Sequence, residues 1–179
     1  MNVLVIMHNG FEDIEALGTI ALLRRAQIDV TISSFEGVNT NGRYDIKIDS
    51  IPFDTISNPL DFDMLFVPGG PHYAKILENQ KALDLITYYA NNKSIAAICA
   101  APTILGSLGL LKDKNYTCFS SMNADFGGIY HDTYVVRDQN IITGKSAAAT
   151  IDFAFEIIAY LEGEDKALQI KNQIYYFSK

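Results

Sequence analysis

Short apolar runs alternate with amphipathic stretches along the first half of the chain. Continuous apolar runs bounded by turn residues, the pattern of fully buried strands, occupy Val3–Met7, Met64–Val67 and Ser94–Ile98. After the first run, Glu12–Ala26 repeats apolar residues at helical spacing, with acids at its start and two arginines at its end that complement a helix dipole. Asp29–Phe35 alternates apolar and polar residues and predicts a second strand. The chain therefore opens as a β-α-β unit.

The rest of the chain continues this alternation. The pattern predicts an edge strand or hairpin at Arg43–Ile51 and a hairpin at Val135–Thr143. It also predicts one or two helices at Leu77–Asn92 and a short helix at Thr103–Leu108. Two closing helices are predicted at Ala147–Leu161 and Asp165–Phe177. Buried strands that alternate with helices are typical of a doubly wound, mostly parallel sheet in a three-layer α/β sandwich. No linker-like or repeated segment interrupts the pattern, so we expect residues 1–179 to form a single domain.

In doubly wound sheets, ligands bind in loops at the carboxyl ends of the strands. Three predicted loops follow buried strands in this way, at His8–Glu15, Pro68–Tyr73 and Cys99–Pro102. Because the strands are parallel, we expect these loops to meet at one edge of the sheet. The sequence therefore places the chemistry of the protein in these three segments.

The charge of the chain narrows the classes of function. The chain has 14 basic and 21 acidic residues, a net charge of −7, and its basic residues are scattered. A nucleic-acid partner is therefore not expected. The apolar runs are far shorter than the roughly 20 residues of a membrane helix. The first residues also lack the basic region of a signal peptide, so we expect a cytoplasmic protein without a membrane partner.

Cysteines and histidines are few. Two cysteines and three histidines at irregular spacings do not make a zinc site, and a cytoplasmic chain is not expected to form a structural disulfide. The Gly-Gly-Pro segment that begins at Gly69 lacks the spacing of a phosphate-binding loop. We therefore expect neither a metal nor a nucleotide cofactor.

Cys99 is the candidate nucleophile. An isolated cysteine after an apolar run is usually a core residue. Cys99, however, directly follows a predicted strand and precedes a helix that carries Pro102 in its first turn. A tight strand-to-helix turn of this kind lifts a nucleophile out of the sheet, and the start of the helix is expected to favour the reactive thiolate.

Neighbouring residues supply candidates for the other catalytic roles. The backbone N–H of Ala100 and those of Gly69 and Gly70 are candidate donors to an oxyanion. The acids Glu12 and Glu15 share one face of the first predicted helix, where such acids are usually solvated. A carboxyl group that faces the sulfur would instead have a raised pKa and act as general acid and base.

Several of these segments together resemble the ThiJ/PfpI superfamily. They are Gly10–Glu15, Pro68–Gly70 and Ala96–Thr103, with further similarity at Leu22–Ala26 and Ile142–Ser146. The resemblance covers nearly the whole chain and points to the branch of the parkinsonism-associated protein deglycase and its bacterial relatives. It implies a flavodoxin-like, class I glutamine amidotransferase-like sandwich that forms a homodimer.

The resemblance also implies roles for individual residues. Cys99 would be the nucleophile or redox cysteine, and Glu15 the protonated carboxyl group bonded to its sulfur. Gly70 and Ala100 would be the amide donors, and Arg43 would correspond to an arginine of the pocket. The implied activity is a glyoxalase or deglycase reaction on methylglyoxal, glyoxal or their early adducts.

Two other functions stay open. A redox-sensing oxidative-stress protein or chaperone would have Cys99 oxidised to the sulfinate. An intracellular cysteine protease or amidase is the weaker alternative, because protease-like members carry a histidine directly after the nucleophile and this chain has Ala100 there.

The histidines and the second cysteine are secondary candidates. Some relatives place a pocket histidine near the position of Gly127–Ile129, and His131 lies nearby in this sequence. His72 follows the glycine pair closely. We interpret both more readily as surface-loop histidines than as pocket residues. Cys118 is expected to pack at a strand end, with redox sensitivity as the alternative.

Overall fold

Strands and helices alternate along residues 1–176, which are the residues that the computed structural model describes. The strands are β1 (Asn2–Met7), β2 (Asp29–Ser34), β3 (Asn39–Asn41), β4 (Lys47–Asp49), β5 (Ile51–Pro52), β6 (Met64–Val67), β7 (Ser94–Ile98), β8 (Asn115–Tyr116), β9 (Ile129–Tyr130), β10 (Val135–Asp138) and β11 (Ile141–Gly144). The helices are α1 (Asp13–Arg25), α2 (Tyr73–Leu77), α3 (Gln80–Asn92), α4 (Ala101–Ser107), α5 (Thr150–Glu162) and α6 (Glu164–Gln173). Single 3-10 turns cover Phe53–Thr55, Ser120–Met122 and Ala147–Ala149. Among these residues, no helix combines the length and apolar character needed to cross a membrane.

Within residues 1–176, seven strands form the main sheet in the order β10-β11-β7-β6-β1-β2-β5. The edge pair β10–β11 is antiparallel, and the other neighbouring strands are parallel. The strands β1, β2, β6, β7 and β11 thus lie in the spatial order 2-1-3-4-5, the doubly wound order of flavodoxin-like folds. The predicted mostly parallel, flavodoxin-like sheet is confirmed.

Helices cover both faces of this sheet. In β1, Val3 and Val5 pack into a cluster with residues of α1, α5 and α6, whereas Leu4 and Ile6 pack into another with residues of α3 and α4. Successive side chains of a strand point to opposite faces, so a strand covered on both faces is apolar at every position. The predicted three-layer α/β sandwich is confirmed.

The predicted elements differ from the observed ones where the pattern is short or polar. The element predicted at Arg43–Ile51 is a hairpin that begins earlier, at Asn39, because β3 pairs with β4. The stretch predicted as one or two helices is two, since the Asn79 side chain caps α3 by accepting a hydrogen bond from the N–H of Ala82 at 3.3 Å. The last helix, α6, ends at Gln173, and Phe177, its predicted end, lies outside the described residues.

Candidate active site

The three predicted loops meet at the carboxyl edge of the sheet. The N–H of Glu12, after β1, donates to the carbonyl oxygen of Gly69, after β6, at 2.8 Å. In return, the N–H of Gly69 donates to Oε2 of Glu15 at 3.0 Å. Glu15, Gly70 and Cys99, which follows β7, line one cavity. The predicted convergence of these loops is confirmed.

Cys99 occupies a strained turn between β7 and α4. Its φ angle is +64°, in the left-handed region that residues other than glycine rarely adopt. Its N–H donates to the carbonyl oxygen of Gly144 at 2.8 Å, and its own carbonyl oxygen accepts from the N–H of Phe119 at 2.9 Å. These two bonds fix the backbone of Cys99 from both sides, so the surrounding structure maintains the strained conformation.

Glu15 lies in the first turn of α1 and is buried, with 1% of its surface exposed. Oε2 accepts the Gly69 N–H, whereas Oε1 has no hydrogen-bond partner among the described residues. The Cys99 thiol neighbours the carboxyl group. Burial raises the pKa of Glu15 to about 7, and the nearby charge of Glu12 acts in the same direction. The carboxyl group can therefore hold a proton near neutral pH, as the sequence predicted.

The surroundings that raise the pKa of Glu15 also affect the pKa of the Cys99 thiol. Burial raises the pKa of Cys99, and the carboxylate of Glu15 raises it further, whereas the Ala100 N–H lowers it. The direction of this pKa shift is opposite to the expectation that the start of α4 favours the thiolate, because the sulfur is buried beside a carboxyl group. Protonation of Glu15 removes its negative charge from the causes that raise the Cys99 pKa, so the two groups titrate as a pair.

Gly69 and Gly70, the two glycines after β6, lie so close to neighbouring atoms that a side chain would not fit at either position. A side chain at Gly69 would collide with the Glu15 carboxylate and come within 2.6 Å of the Cys99 Cβ. Gly70 has a φ angle of +102° and packs against the backbone N of Glu12. Glycine is the residue that permits both this conformation and this contact.

Two of the three candidate amide donors are available to a ligand. The N–H of Gly69 is engaged by Glu15. The N–H groups of Gly70 and Ala100 have no backbone or side-chain oxygen acceptor within residues 1–176, and both residues line the cavity beside Cys99. Gly70 and Ala100, rather than Gly69, can therefore face an oxyanion.

The cavity above Cys99 has a volume of about 400 Å³. Its polar lining includes Glu12, Glu15 and Arg43, so the predicted pocket arginine lies there. The guanidinium of Arg43 lies 5.5 Å from the ring centroid of Tyr44. A larger, more open cavity of about 540 Å³ lies beside His8, but it contains neither cysteine. We place the candidate site in the smaller cavity because the paired thiol and carboxyl groups are there.

Much of the cavity wall was not predicted from the sequence. The additional lining residues are mostly aromatic or apolar: Tyr44, Pro71, Tyr73, Phe119, Met122, Ser146 and Ala147. Ser146 follows β11, so the rule that ligands bind after parallel strands could have found it. Phe119 and Met122 come from an irregular segment whose sequence carries no periodic signal.

The two candidate histidines do not line this cavity. His72 is 1% exposed, and its ring bonds to the Pro68 carbonyl oxygen and to the His8 N–H, so it is neither a pocket residue nor a surface residue. His131 is half-buried, and its Nε2 lies 2.7 Å from Oδ1 of Asn115 at the small β8–β9 sheet. Neither histidine lines the cavity, and the preferred surface-loop interpretation is wrong for His72, because its ring is buried and hydrogen-bonded in the interior.

Cys118 is fully buried just after β8. Its Sγ lies 3.6 Å from the carbonyl oxygen of Phe119, and burial raises its pKa to about 11. The predicted packing of this residue at a strand end is confirmed. In the part of the chain that the structure describes, no group of three or more His, Cys, Asp and Glu side chains is arranged to hold a metal ion.

Known proteins resemble this chain in sequence. The family model described as the DJ-1/PfpI family matches residues 1–160. Protein DJ-1alpha of Drosophila melanogaster is 33% identical over 177 residues, which cover 94% of this chain and 81% of that protein. A deglycase of Pyrococcus horikoshii is 31% identical over 168 residues, which cover 90% of this chain and all (100%) of that protein.

Solved structures agree with these matches. A DJ-1 superfamily protein of Salmonella typhimurium superposes with a TM-score of 0.88 at 31% identity, covering 99% of both chains. DJ-1beta of Drosophila melanogaster superposes with a TM-score of 0.89 at 29% identity, covering 99% of this chain and 98% of that one. By sequence and by fold, the chain belongs to the DJ-1/PfpI family.

Proposed function

We propose that the protein is a cysteine-dependent glyoxalase or deglycase that acts on methylglyoxal, glyoxal or their early adducts. The observation that carries the proposal is the pair formed by Cys99, on a strained turn, and the buried carboxyl group of Glu15, whose pKa is about 7. A thiol beside a carboxyl group that can hold or release a proton near neutral pH suits addition to an aldehyde followed by proton transfer. Relatives named deglycases, including that of Pyrococcus horikoshii, support the same activity.

In the proposed reaction, the Cys99 sulfur adds to the aldehyde carbon of methylglyoxal while the thiol proton passes to Glu15. The N–H groups of Gly70 and Ala100 stabilise the resulting alkoxide, which takes this proton back from Glu15 to give a hemithioacetal. Glu15 then removes the proton from the former aldehyde carbon, which gives an enediol, and returns it to the adjacent, former ketone carbon. In the same rearrangement the hydroxyl proton of the hemithioacetal passes to the former ketone oxygen, so that the thioester carbonyl and the lactate hydroxyl form. The product is a thioester of lactate, with no external oxidant or reductant required. Water hydrolyses the thioester, releasing lactate and restoring the thiol.

The first experiment measures methylglyoxal consumption and lactate formation in thiol-free buffer. We expect Cys99→Ala and Glu15→Gln to lose at least about 100-fold in kcat/KM, because acid–base catalysis alone contributes 10²–10⁴-fold. Cys118→Ala is the matched control and should keep most of the activity, because Cys118 does not line the cavity. If the unmodified protein is no faster than Cys99→Ala, the proposed enzyme activity is wrong.

A redox-sensing role is the second candidate function. Cys99 is partly exposed in a cavity, whereas Cys118 is fully buried, so peroxide would reach Cys99 selectively. A protonated Glu15 could donate a hydrogen bond to the sulfinate. Titration with peroxide, followed by intact mass and peptide mapping, tests this role. Equal oxidation of the two cysteines would contradict it.

Protease or amidase activity has less support. Ala100 follows the cysteine, and no histidine is among the residues described as lining the cavity. A cysteine that hydrolyses peptides needs an adjacent base of this kind. We do not propose chaperone activity, because we identify no separate site for it among the described residues.

We also propose that the protein forms a homodimer. Ile14, in the helix that carries Glu15, is 59% exposed, and Leu17 beside it is half-buried. Apolar side chains that stay at least partly exposed on the helix of Glu15 suit an interface with a second copy of the chain. Light scattering should give twice the chain mass of 19.8 kDa, and a monomer mass would contradict the proposal.

A further inference from the structure

The buried histidine His72 is held at both ring nitrogens. Its Nε2 lies 2.7 Å from the carbonyl oxygen of Pro68, and its Nδ1 lies 3.2 Å from the backbone N of His8. A main-chain N–H can only donate, so Nδ1 accepts and the ring proton of the neutral imidazole lies on Nε2. The contacts therefore fix one tautomer, with Nε2–H donating to Pro68.

The carbonyl of Pro68 and the N–H of Gly69 belong to the same peptide unit. The oxygen of that unit accepts from His72, and its N–H donates to Oε2 of Glu15 at 3.0 Å. A planar peptide transmits orientation rigidly from one end to the other. A hydrogen bond to its oxygen also polarises the unit and strengthens the bond that its N–H makes. His72 and Glu15 are thus joined through a single peptide.

We propose that His72 is a positioning residue, which orients and polarises the Pro68–Gly69 peptide so that the peptide N–H holds the Glu15 carboxyl group against Cys99. The inference rests on the proposed function, because it assigns to His72 a part in setting the proton-transfer group of that reaction. His72 itself touches neither the cavity nor the thiol.

The charge state of His72 suits this role. Burial lowers its pKa to about 4, and the neighbouring His8 and Lys75 act in the same direction, so the ring stays neutral at physiological pH. The other charged or titratable groups that face Glu15 are Cys99, Glu12 and Arg43, and none of them contacts His72. A change at His72 can therefore reach Glu15 through the peptide without changing these charges.

Two substitutions of His72 distinguish the effect of its hydrogen bond to Pro68 from the effect of replacing its buried side chain. The amide nitrogen of His72→Gln reaches about as far as Nε2 and can donate to Pro68, whereas the shorter His72→Asn can accept from the His8 N–H but cannot reach Pro68. NMR titration of labelled glutamate carboxyl carbons, with the Glu15 signal identified by its absence in Glu15→Gln, reads the pKa directly. We expect His72→Asn to raise the pKa of Glu15 by about one unit, and His72→Gln to leave it near the unmodified value.

Equal shifts in the two variants, or no shift in His72→Asn, would overturn the inference. If His72→Asn does not fold, as judged by circular dichroism, the unmodified protein still provides a test. Nitrogen NMR of labelled His72 should show a neutral ring with the proton on Nε2 at neutral pH, and a proton on Nδ1 would overturn the inference. Neither measurement uses turnover, so absence of dicarbonyl activity would overturn the proposed function without deciding the role of His72.

Discussion

The carboxyl group of Glu15 would be ionised in water at neutral pH, yet it is buried with one N–H donor for its two oxygens. A buried carboxylate is stable only where hydrogen bonds or positive charge compensate for the lost water. Here Arg43 and the Gly69 N–H compensate in part, and burial still dominates. The residue therefore costs folding stability in its charged form, and this cost is measurable without any substrate.

The first prediction concerns stability and pH. The folded-state pKa of Glu15 is raised from 4.5 to about 7, so the folded protein binds more protons than the unfolded chain between these values, and Glu15 lowers stability as pH rises through this window. Glu15→Gln should therefore be more stable than the unmodified protein at about pH 8, by up to about 3 kcal/mol, with the difference shrinking towards about pH 4. Urea unfolding across this range measures it.

The control for this prediction is Glu164→Gln, which removes an exposed carboxyl group at the start of α6. Its effect on the free energy of unfolding should be small at every pH. A constant difference between Glu15→Gln and the unmodified protein across the pH range would contradict the prediction.

The second prediction concerns the strained backbone of Cys99. With φ at +64°, any residue with a Cβ is disfavoured there by about 1–2 kcal/mol. Cys99→Gly should therefore unfold with a free energy about 1 kcal/mol higher than Cys99→Ala. At the next position, where φ is −75°, Ala100→Gly should instead destabilise the protein. A lower stability of Cys99→Gly than of Cys99→Ala would contradict the assigned strain.

The sequence predicts the positions of Cys99 and Glu15 at the cavity but not the positions of the histidines. Cys99 and Glu15 follow buried strands or open a helix, and their places at the edge of the sheet follow from topology. The buried position of His72 depends on its hydrogen bonds with Pro68 and His8, which no pattern of apolar residues encodes. Its contact with Pro68 is visible only in the structure.

At the scale of elements, the turn of the β3–β4 hairpin places Arg43 and Tyr44, two residues of the cavity wall, beside the start of α1. Asp13, which the sequence treats as an ordinary acid of the first helical turn, is buried and accepts the N–H of Tyr44 at Oδ2, at 3.0 Å. The N–H of Arg43 donates to the carbonyl oxygen of Phe11 at 2.7 Å. These bonds attach the hairpin turn to the loop that precedes α1, so the helix that carries Glu15 also positions Arg43 and Tyr44.

The third prediction tests this attachment. Asp13→Ala removes the acceptor for the Tyr44 N–H and should raise KM about threefold to tenfold with little change in kcat, because the wall of the cavity moves while the thiol stays in place. Asp13→Asn keeps an acceptor oxygen and should resemble the unmodified protein. Alkylation of Cys99 by iodoacetamide should proceed at similar rates in all three proteins. An unchanged KM in Asp13→Ala would contradict the role of the contact.

The accuracy of sequence prediction for the elements follows from how each is stabilised. Strands such as β1 and β6 are buried on both faces, so their apolar character is required and readable. The strands β3, β4, β8 and β9 each have two or three residues, and their pairing depends on contacts with distant segments. Two or three residues are too few to show a period, which is why β8 and β9 were missed.

At the scale of the whole molecule, charge affects what reaches the cavity. The net charge of −7 gives the surface a negative potential, although the site itself holds both Arg43 and Glu12. The proposed substrate methylglyoxal is neutral and is not repelled, whereas the proposed product lactate is an anion and would be repelled once released. The balance of charge therefore suits a neutral substrate and an acidic product.

The fourth prediction follows from this balance. The kcat/KM for methylglyoxal should change by less than about twofold between low and high salt, because screening over a Debye length of about 30 Å or about 3 Å acts on no substrate charge. For iodoacetate, an anionic alkylating reagent, the rate of Cys99 alkylation should rise with salt as repulsion is screened. A steep fall of the methylglyoxal rate with salt would instead indicate electrostatic attraction of that substrate and contradict the prediction.

The backbone bonds of Cys99 to Gly144 and Phe119 join three segments that are far apart in the sequence. Detachment of either neighbour would let Cys99 relax to an ordinary backbone conformation, with its sulfur turned away from Glu15. The placement of the thiol beside Glu15 therefore depends on these two backbone bonds. On heating, the proposed activity should therefore disappear before the circular dichroism signal of secondary structure does, because these two bonds can break while the rest of the sheet stays intact.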